Sequence, residues 1–110
     1  MRKAAVKIEE HIVGWLTQDE LGYHFEYERA YALKPGARQV SLTLPIREEK
    51  YTSNVLFPFF DGLIPEGWLL DIAEKNWKLN PRDRMGLVLA CCKDCVGVVS
   101  IVEVKEEEVP

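Results

Sequence analysis

Residues 51–68, Y-T-S-N-V-L-F-P-F-F-D-G-L-I-P-E-G-W, are where the chain changes character. They hold three of its four phenylalanines, two of its six prolines and two of its seven glycines. Val55, Leu56, Phe59, Phe60 and Leu63 recur at helical spacing. Ser53 or Asn54 can cap such a helix by accepting a hydrogen bond from a free backbone N–H. Pro58 is tolerated only near its first turn. Gly62 is expected to close it in a left-handed conformation. Before this stretch the apolar residues alternate, and after it they follow a helical period.

Upstream, residues 4–8 alternate weakly, with Ala4, Val6 and Ile8 on one face, and Glu9-Glu10 makes a polar break. Residues 11–17 (H-I-V-G-W-L-T) are β-branched and aromatic enough for a second strand. Residues 18–22 read as a turn. Tyr23, Phe25 and Tyr27 then point one way, and His24 and Glu26 the other, which places His24 toward solvent. Lys34-Pro35-Gly36 is a turn. Residues 40–44 alternate again, Val40, Leu42 and Leu44 against Ser41 and Thr43, and predict a fourth strand ended by Pro45. Residues 47–50 form a charged loop.

Downstream, Pro65 suits the first turn of a second helix, and Glu66 puts negative charge at its positive end. That helix is expected to run to about Trp77. Asn80-Pro81-Arg82-Asp83 predicts a third start, with Asn80 as cap and Asp83 reaching back as a capping-box variant. Met85, Val88, Leu89 and Cys92 share one apolar face. Residues 96–104 are a last β-branched strand, and 105–110 an acidic tail expected to fray. The layout is one α+β domain over residues 1–110. It has a small antiparallel β-sheet, or open barrel-like meander, with about three helices at one side.

The totals narrow the function. The chain has 110 residues and a net charge of −4, its 14 basic residues scattered among 18 acidic ones. Direct nucleic-acid binding needs clustered Lys and Arg, so none is expected. No apolar run approaches the ~18 residues of a membrane span, and the charged N-terminus is no signal peptide. Three cysteines, Cys91, Cys92 and Cys95, suit a reducing compartment better than a disulfide framework. A soluble cytoplasmic protein is expected.

Catalytic and metal chemistry find little support. Cys92-x-x-Cys95 has metal or redox spacing, but tetrahedral zinc needs four ligands, so Cys91, His11 and His24 would have to converge on it. A thioredoxin-like motif opens a helix, and this one closes a helix. Packing is the simpler role, since free Cys is among the most buried residue types. Phe60-Asp61-Gly62 is a scrambled D-F-G without the other parts of a kinase. No catalytic residue, cofactor or metal site is expected. Trp68 stands apart. On a helical wheel Leu69, Leu70, Ala73 and Trp77 share the core arc, while Trp68 falls beside Asp71 and Lys75. Either a neighbouring loop covers it, or it is a binding anchor, a role in which Trp is enriched.

V-S-L-T-L-P-I-R-E-E-K-Y (residues 40–51), F-P-F-F-D-G-L-I-P-E-G (57–67) and P-R-D-R-M-G-L-V-L-A-C-C-K-D-C-V-G-V-V (81–99) closely resemble the N-terminal subdomain of HipA-type serine/threonine kinases. The resemblance spans about residues 6–102. In that family the subdomain precedes a kinase core and packs against it. A unit without the kinase core is expected here, and Trp68-Leu69-Leu70 replaces the small or charged residues usual after P-E-G. A free-standing subdomain resembles the HipS members of tripartite HipBST toxin–antitoxin systems. The resemblance implies a non-enzymatic antitoxin that inhibits a HipA-like (HipT-type) kinase toxin, in a ternary complex with a HipB-type DNA-binding protein. The contact surface would run from Phe59 to Leu70, with Trp68 as anchor among Phe59, Asp61, Pro65, Glu66 and Gly67, and with the adjoining Asp71 taking part. The alternative it implies is a subunit, or detached fragment, that completes and activates such a kinase.

Overall fold

The computed structural model describes residues 2–64, 83–91 and 99–104. Three strands open it: β1 (Arg2–Ile8), β2 (His11–Asp19) and β3 (Gly22–Tyr27). A one-turn helix α1 (Arg29–Ala32) follows, then a long irregular stretch, then β4 (Tyr51–Ser53). The remaining described elements are α2 (Pro58–Asp61), α3 (Arg84–Cys91) and β5 (Val99–Val104). The strands form one sheet in the order β4-β3-β2-β1-β5, with every neighbouring pair antiparallel. This is the small antiparallel sheet with helices that the alternation and helical periods predict.

One face of the sheet carries the core. Ala4, Val6 and Ile8 of β1, Leu16 of β2, Phe25 and Tyr27 of β3 and Ile101 of β5 are all buried. Phe60 of α2 and Met85, Leu87 and Val88 of α3 join them in one cluster. Phe25 sits among aromatic edges, 4.9 Å from the Tyr27 ring and 5.3 Å from Phe60, both near T-shaped. Each such fully buried side chain contributes about 1.5–3 kcal/mol. Between Val6 and Lys7 the β1–β2 register shifts, so Val6 faces Gly14 and Lys7 faces Ile12. The extra residue, Val13, is buried in the core, as a β-bulge allows.

The turn between β2 and β3 depends on Gly22. Its φ of +126° is one that side chains rarely adopt, and a Cβ there would stand 2.4 Å from the Ser53 carbonyl of β4. Asp19 Oδ1 also accepts from the Leu21 N–H at 2.8 Å, as an Asx-turn does.

Several expectations change. Residues 40–44 are not a strand. Leu44 N–H donates to the Ser41 carbonyl at 3.1 Å, closing a turn, and only an isolated bridge joins Ser41 and Leu44. Val40 and Leu44 are buried, while Leu42 is 89% exposed. The cause is tertiary: the Tyr27 hydroxyl accepts from Val40 N–H at 3.0 Å and donates to the Leu44 carbonyl, drawing both ends of the segment inward. The helix expected around Val55–Leu63 shrinks to α2, because Pro58 occupies its first position and disfavours helical backbone at Phe57. Phe57 is accordingly extended, with φ −56° and ψ 135°. Val55 is exposed, and Ser53 belongs to β4, its Oγ accepting from Val55 N–H at 3.2 Å. Gly62 is right-handed (φ −69°), its N–H donating to the Pro58 carbonyl at 2.8 Å.

His24 faces away from solvent, at 6% exposure. The start of α3 lies three residues later than Asn80-Pro81 suggests. Asp83 caps it, with Oδ1 accepting from Gly86 N–H at 3.1 Å and its carbonyl from Leu87 N–H at 3.0 Å. Asn80, Pro81 and the helix expected over residues 66–77 lie outside the described residues.

Candidate functional site

The segment expected to meet a partner begins on α2. This single turn turns Phe60 fully into the core, leaving Phe59 and Asp61 half-buried on either side of it. The Phe59 ring lies 5.2 Å from Phe60 at 72°, so it is braced by the core from beneath. Asp61 Oδ1 accepts from Arg84 Nε at 2.5 Å, tying α2 to the first residue of α3. That hydrogen bond holds the Arg84 guanidinium above its ordinary, already high pKa. The structure thus brings Phe59 and Asp61 together on a turn fixed at both ends. Pro65, Glu66, Gly67, Trp68 and Asp71 lie outside the described residues, as do Cys92 and Cys95.

A second tie supports α3 from the opposite end of the chain. Arg2 of β1 donates through both terminal nitrogens to the two Asp83 oxygens, each at 2.7 Å. The paired guanidinium, helped by the Gly86 N–H and opposed by partial burial, holds the Asp83 carboxyl below the usual range, since hydrogen bonds to the charged form favour it. Gly86 leaves room for this pair, since a Cβ there would lie 2.4 Å from Asp83 Oδ2 and the carboxylate would have to shift. Neither Arg2 nor Arg84 is legible as a site residue in the sequence, because their partners are 81 and 23 positions away.

The most catalytic-looking group in the described residues is a hydroxyl–imidazole–carboxylate row on the far face of the sheet. His24 Nε2 lies 3.0 Å from Asp19 Oδ1, and Nδ1 lies 3.0 Å from Thr52 Oγ1. Nε2–H must donate to the carboxylate, so in the neutral ring Nδ1 accepts from the Thr52 hydroxyl. His24 hydrogen bonding, then the Leu21 N–H, pull the Asp19 carboxyl below its ordinary value. Thr52, however, stands within a strand and directly opposite His24 in the β3–β4 register, without the sharp turn that exposes a nucleophile. The row is a cross-strand staple that fastens β4 to the β2–β3 turn. Among the described residues no three His, Cys, Asp or Glu side chains converge as metal ligands. No helix among them is long and apolar enough to cross a membrane.

This geometry, a five-stranded antiparallel sheet with short helices braced over one face, has close parallels. A solved structure of the N-terminal domain of HipA toxin superposes with a TM-score of 0.75 at 25% identity, covering 96% of this chain and 95% of that one. An uncharacterized protein of Haemophilus influenzae is 31% identical over 106 residues, 96% of each chain. The family described as the HipA N-terminal domain matches residues 4–102. Fold, relative and family agree over the same span, and the chain belongs to the HipA N-terminal domain family.

Proposed function

We propose that this protein is an antitoxin that binds a HipA-like serine/threonine kinase and inhibits it by protein–protein contact, without chemistry of its own. The observation that carries the reading is the extent of the match. The family spans residues 4–102, and the Haemophilus relative is matched over 96% of its own length, leaving that chain little room for a kinase core. A subdomain of the kind that packs against a kinase core in HipA-type kinases is suited to bind such a core in trans.

The contact runs from Phe59 to Leu70, with Trp68 as anchor, Phe59, Asp61, Pro65, Glu66 and Gly67 around it, and the adjoining Asp71 taking part. Placed near the kinase's nucleotide cleft, this segment blocks ATP or holds the lobes apart. A HipB-type DNA-binding protein completes a ternary complex. The phosphorylation rate of a HipT-type kinase, measured with and without this chain, tests the reading. A fall at stoichiometric amounts is expected; a rise would show a completing subunit instead, and no change would overturn both. Trp68→Ala is expected to cost about 2 kcal/mol of affinity, roughly thirtyfold in Kd by calorimetry.

A further inference from the structure

α2 carries Phe59 and Asp61, two of the residues assigned to the kinase contact, on a single helical turn. One turn is a costly nucleus with almost no propagation behind it. Its backbone bonds are few: Asp61 N–H donates to the Phe57 carbonyl at 3.0 Å and Gly62 N–H to the Pro58 carbonyl at 2.8 Å. Phe57, at its N-terminal end, supplies no side-chain cap. The turn is therefore held from outside itself. Part of the hold is Phe60, which is fully buried, with Phe57 and Ile64 buried on either side of it in sequence. Apolar burial is non-directional, however. It sets the depth of the turn and leaves its rotation over the core loosely specified.

The Asp61–Arg84 hydrogen bond supplies the missing direction. It is the one side-chain hydrogen bond that α2 makes to another element among the described residues. The Arg84 end of it is firm. Arg84 opens α3, whose Met85, Leu87 and Val88 are buried. The preceding Asp83 caps that helix and accepts from both terminal nitrogens of Arg2. A well-anchored helix end thus grips the carboxylate of a turn that barely supports itself. The pair is also partly open to water, the Arg84 side chain 33% exposed and Asp61 39%. An ion pair so exposed adds little to global stability. Its geometry matters more to the placing of α2 than to folding.

We propose that Arg84 is a positioning residue for the kinase contact: through Asp61 it fixes the orientation in which α2 presents Phe59 to the partner. This role rests on the kinase-binding reading above and adds a residue that lies outside the contact segment. Phe59 sits edge-on against Phe60 at 5.2 Å, so a rotation of the turn carries the ring with it. Without Arg84 the turn stays anchored by Phe60, but Phe59 and Asp61 have to be ordered when the partner binds, which lowers affinity. The loss shows in Kd and not in the unfolding of the free chain.

Two measurements on the full chain test this role. Amide hydrogen exchange needs no partner. Arg84→Ala should speed exchange at Asp61 and Gly62 and leave β1, β2 and β3 as in the wild type, with urea unfolding unchanged. Unaltered exchange in α2 would overturn the role whatever the kinase does, and a marked fall in urea stability would make Arg84 a structural residue instead. Calorimetry with a HipT-type kinase then reads the contact. Arg84→Ala should weaken binding on the order of 3–10-fold. Arg84→Lys, which keeps a cation for the carboxylate, should recover part of that loss. In an Asp61→Ala background Arg84→Ala should cost nothing further. Wild-type affinity in Arg84→Ala would overturn the positioning role and leave the kinase reading standing. Losses that add in the double variant would place Arg84 on the kinase itself and overturn the role as well. A wild-type chain that does not bind the kinase would overturn the contact, and with it any residue's part in positioning it.

Discussion

Asp83 joins two distant parts of the chain, and its carboxylate performs two functions. It pairs with Arg2 through both oxygens, and Oδ1 also caps α3 at Gly86. A helix cap contributes about 1 kcal/mol, and a partly exposed ion pair about 0–1 kcal/mol. Asp83→Ala is therefore expected to lower stability by about 1–2 kcal/mol in urea unfolding. The pH dependence follows from the sign of the shift. Asp83 is held below its unfolded value, so its contribution is complete above the ordinary carboxylate range. It fades as pH falls through that range, near about pH 4, toward the lowered folded value. The acid limb of a stability–pH curve should flatten in Asp83→Asn. Gly86 gives a sharper test. Alanine within a helix is normally favoured over glycine by about 1 kcal/mol, but here its Cβ would displace the paired carboxylate. Gly86→Ala should be neutral or destabilising in the wild type and stabilising in the Asp83→Ala background, a coupling that a double-mutant cycle measures directly.

The element least like its sequence pattern is the stretch from the end of α1 to β4. It has no regular structure beyond the Ser41–Leu44 bridge, yet tyrosine hydroxyls pin it at several points. Tyr31 both donates to and accepts from Arg38 backbone at 2.8 Å, Tyr51 donates to the Pro45 carbonyl at 2.5 Å, and Tyr27 bridges Val40 and Leu44. Burial pushes the Tyr27 phenol up, so it keeps the proton it donates. Tyr27→Phe would leave a buried N–H and carbonyl unmatched, at about 1–3 kcal/mol. Amide exchange should then accelerate at Val40 and Leu44 but not in β1 or β2; uniform acceleration would mean that the hydroxyl holds no local structure. The same contacts explain what the sequence conceals. V-S-L-T-L alternates as well as Y-H-F-E-Y does, and period two alone cannot tell a strand from a turn whose two ends are pulled inward. β1, β2 and β3 are legible because each pairs with a neighbour close in sequence. The burial of His24 is not, since Asp19 and Thr52 satisfy it from 5 and 28 positions away. In the candidate site, the turn around Gly62 is legible in F-F-D-G, whereas the Arg84 tie that fixes Asp61 has no local signal.

At the scale of the molecule, the first and last described strands meet. β1 lies second in the sheet, flanked by β2 and by β5, with Lys3 opposite Val104. Val6 and Ile101 face each other across this pair and both are fully buried. The last strand therefore completes the core that the first strand begins, and the α3 tie to Arg2 closes the same edge from above the sheet. Contacts between residues so far apart in sequence give nothing until nearly the whole chain is ordered, which slows folding. They also make the fold all-or-none. Removing residues 99–110 would leave β1 as an open edge carrying Val6 and Ile8, an invitation to pair with other chains. The truncated chain is expected to lose a single cooperative thermal transition and to aggregate in size-exclusion chromatography. Ile101→Ala in the full chain, by contrast, should keep one transition with stability lower by about 2–5 kcal/mol. If the truncated chain instead melted cooperatively as a monomer, β1 to β4 and the tyrosine-pinned stretch would form a self-sufficient unit. In that case β1–β5 closure would be an addition to the fold and not its condition.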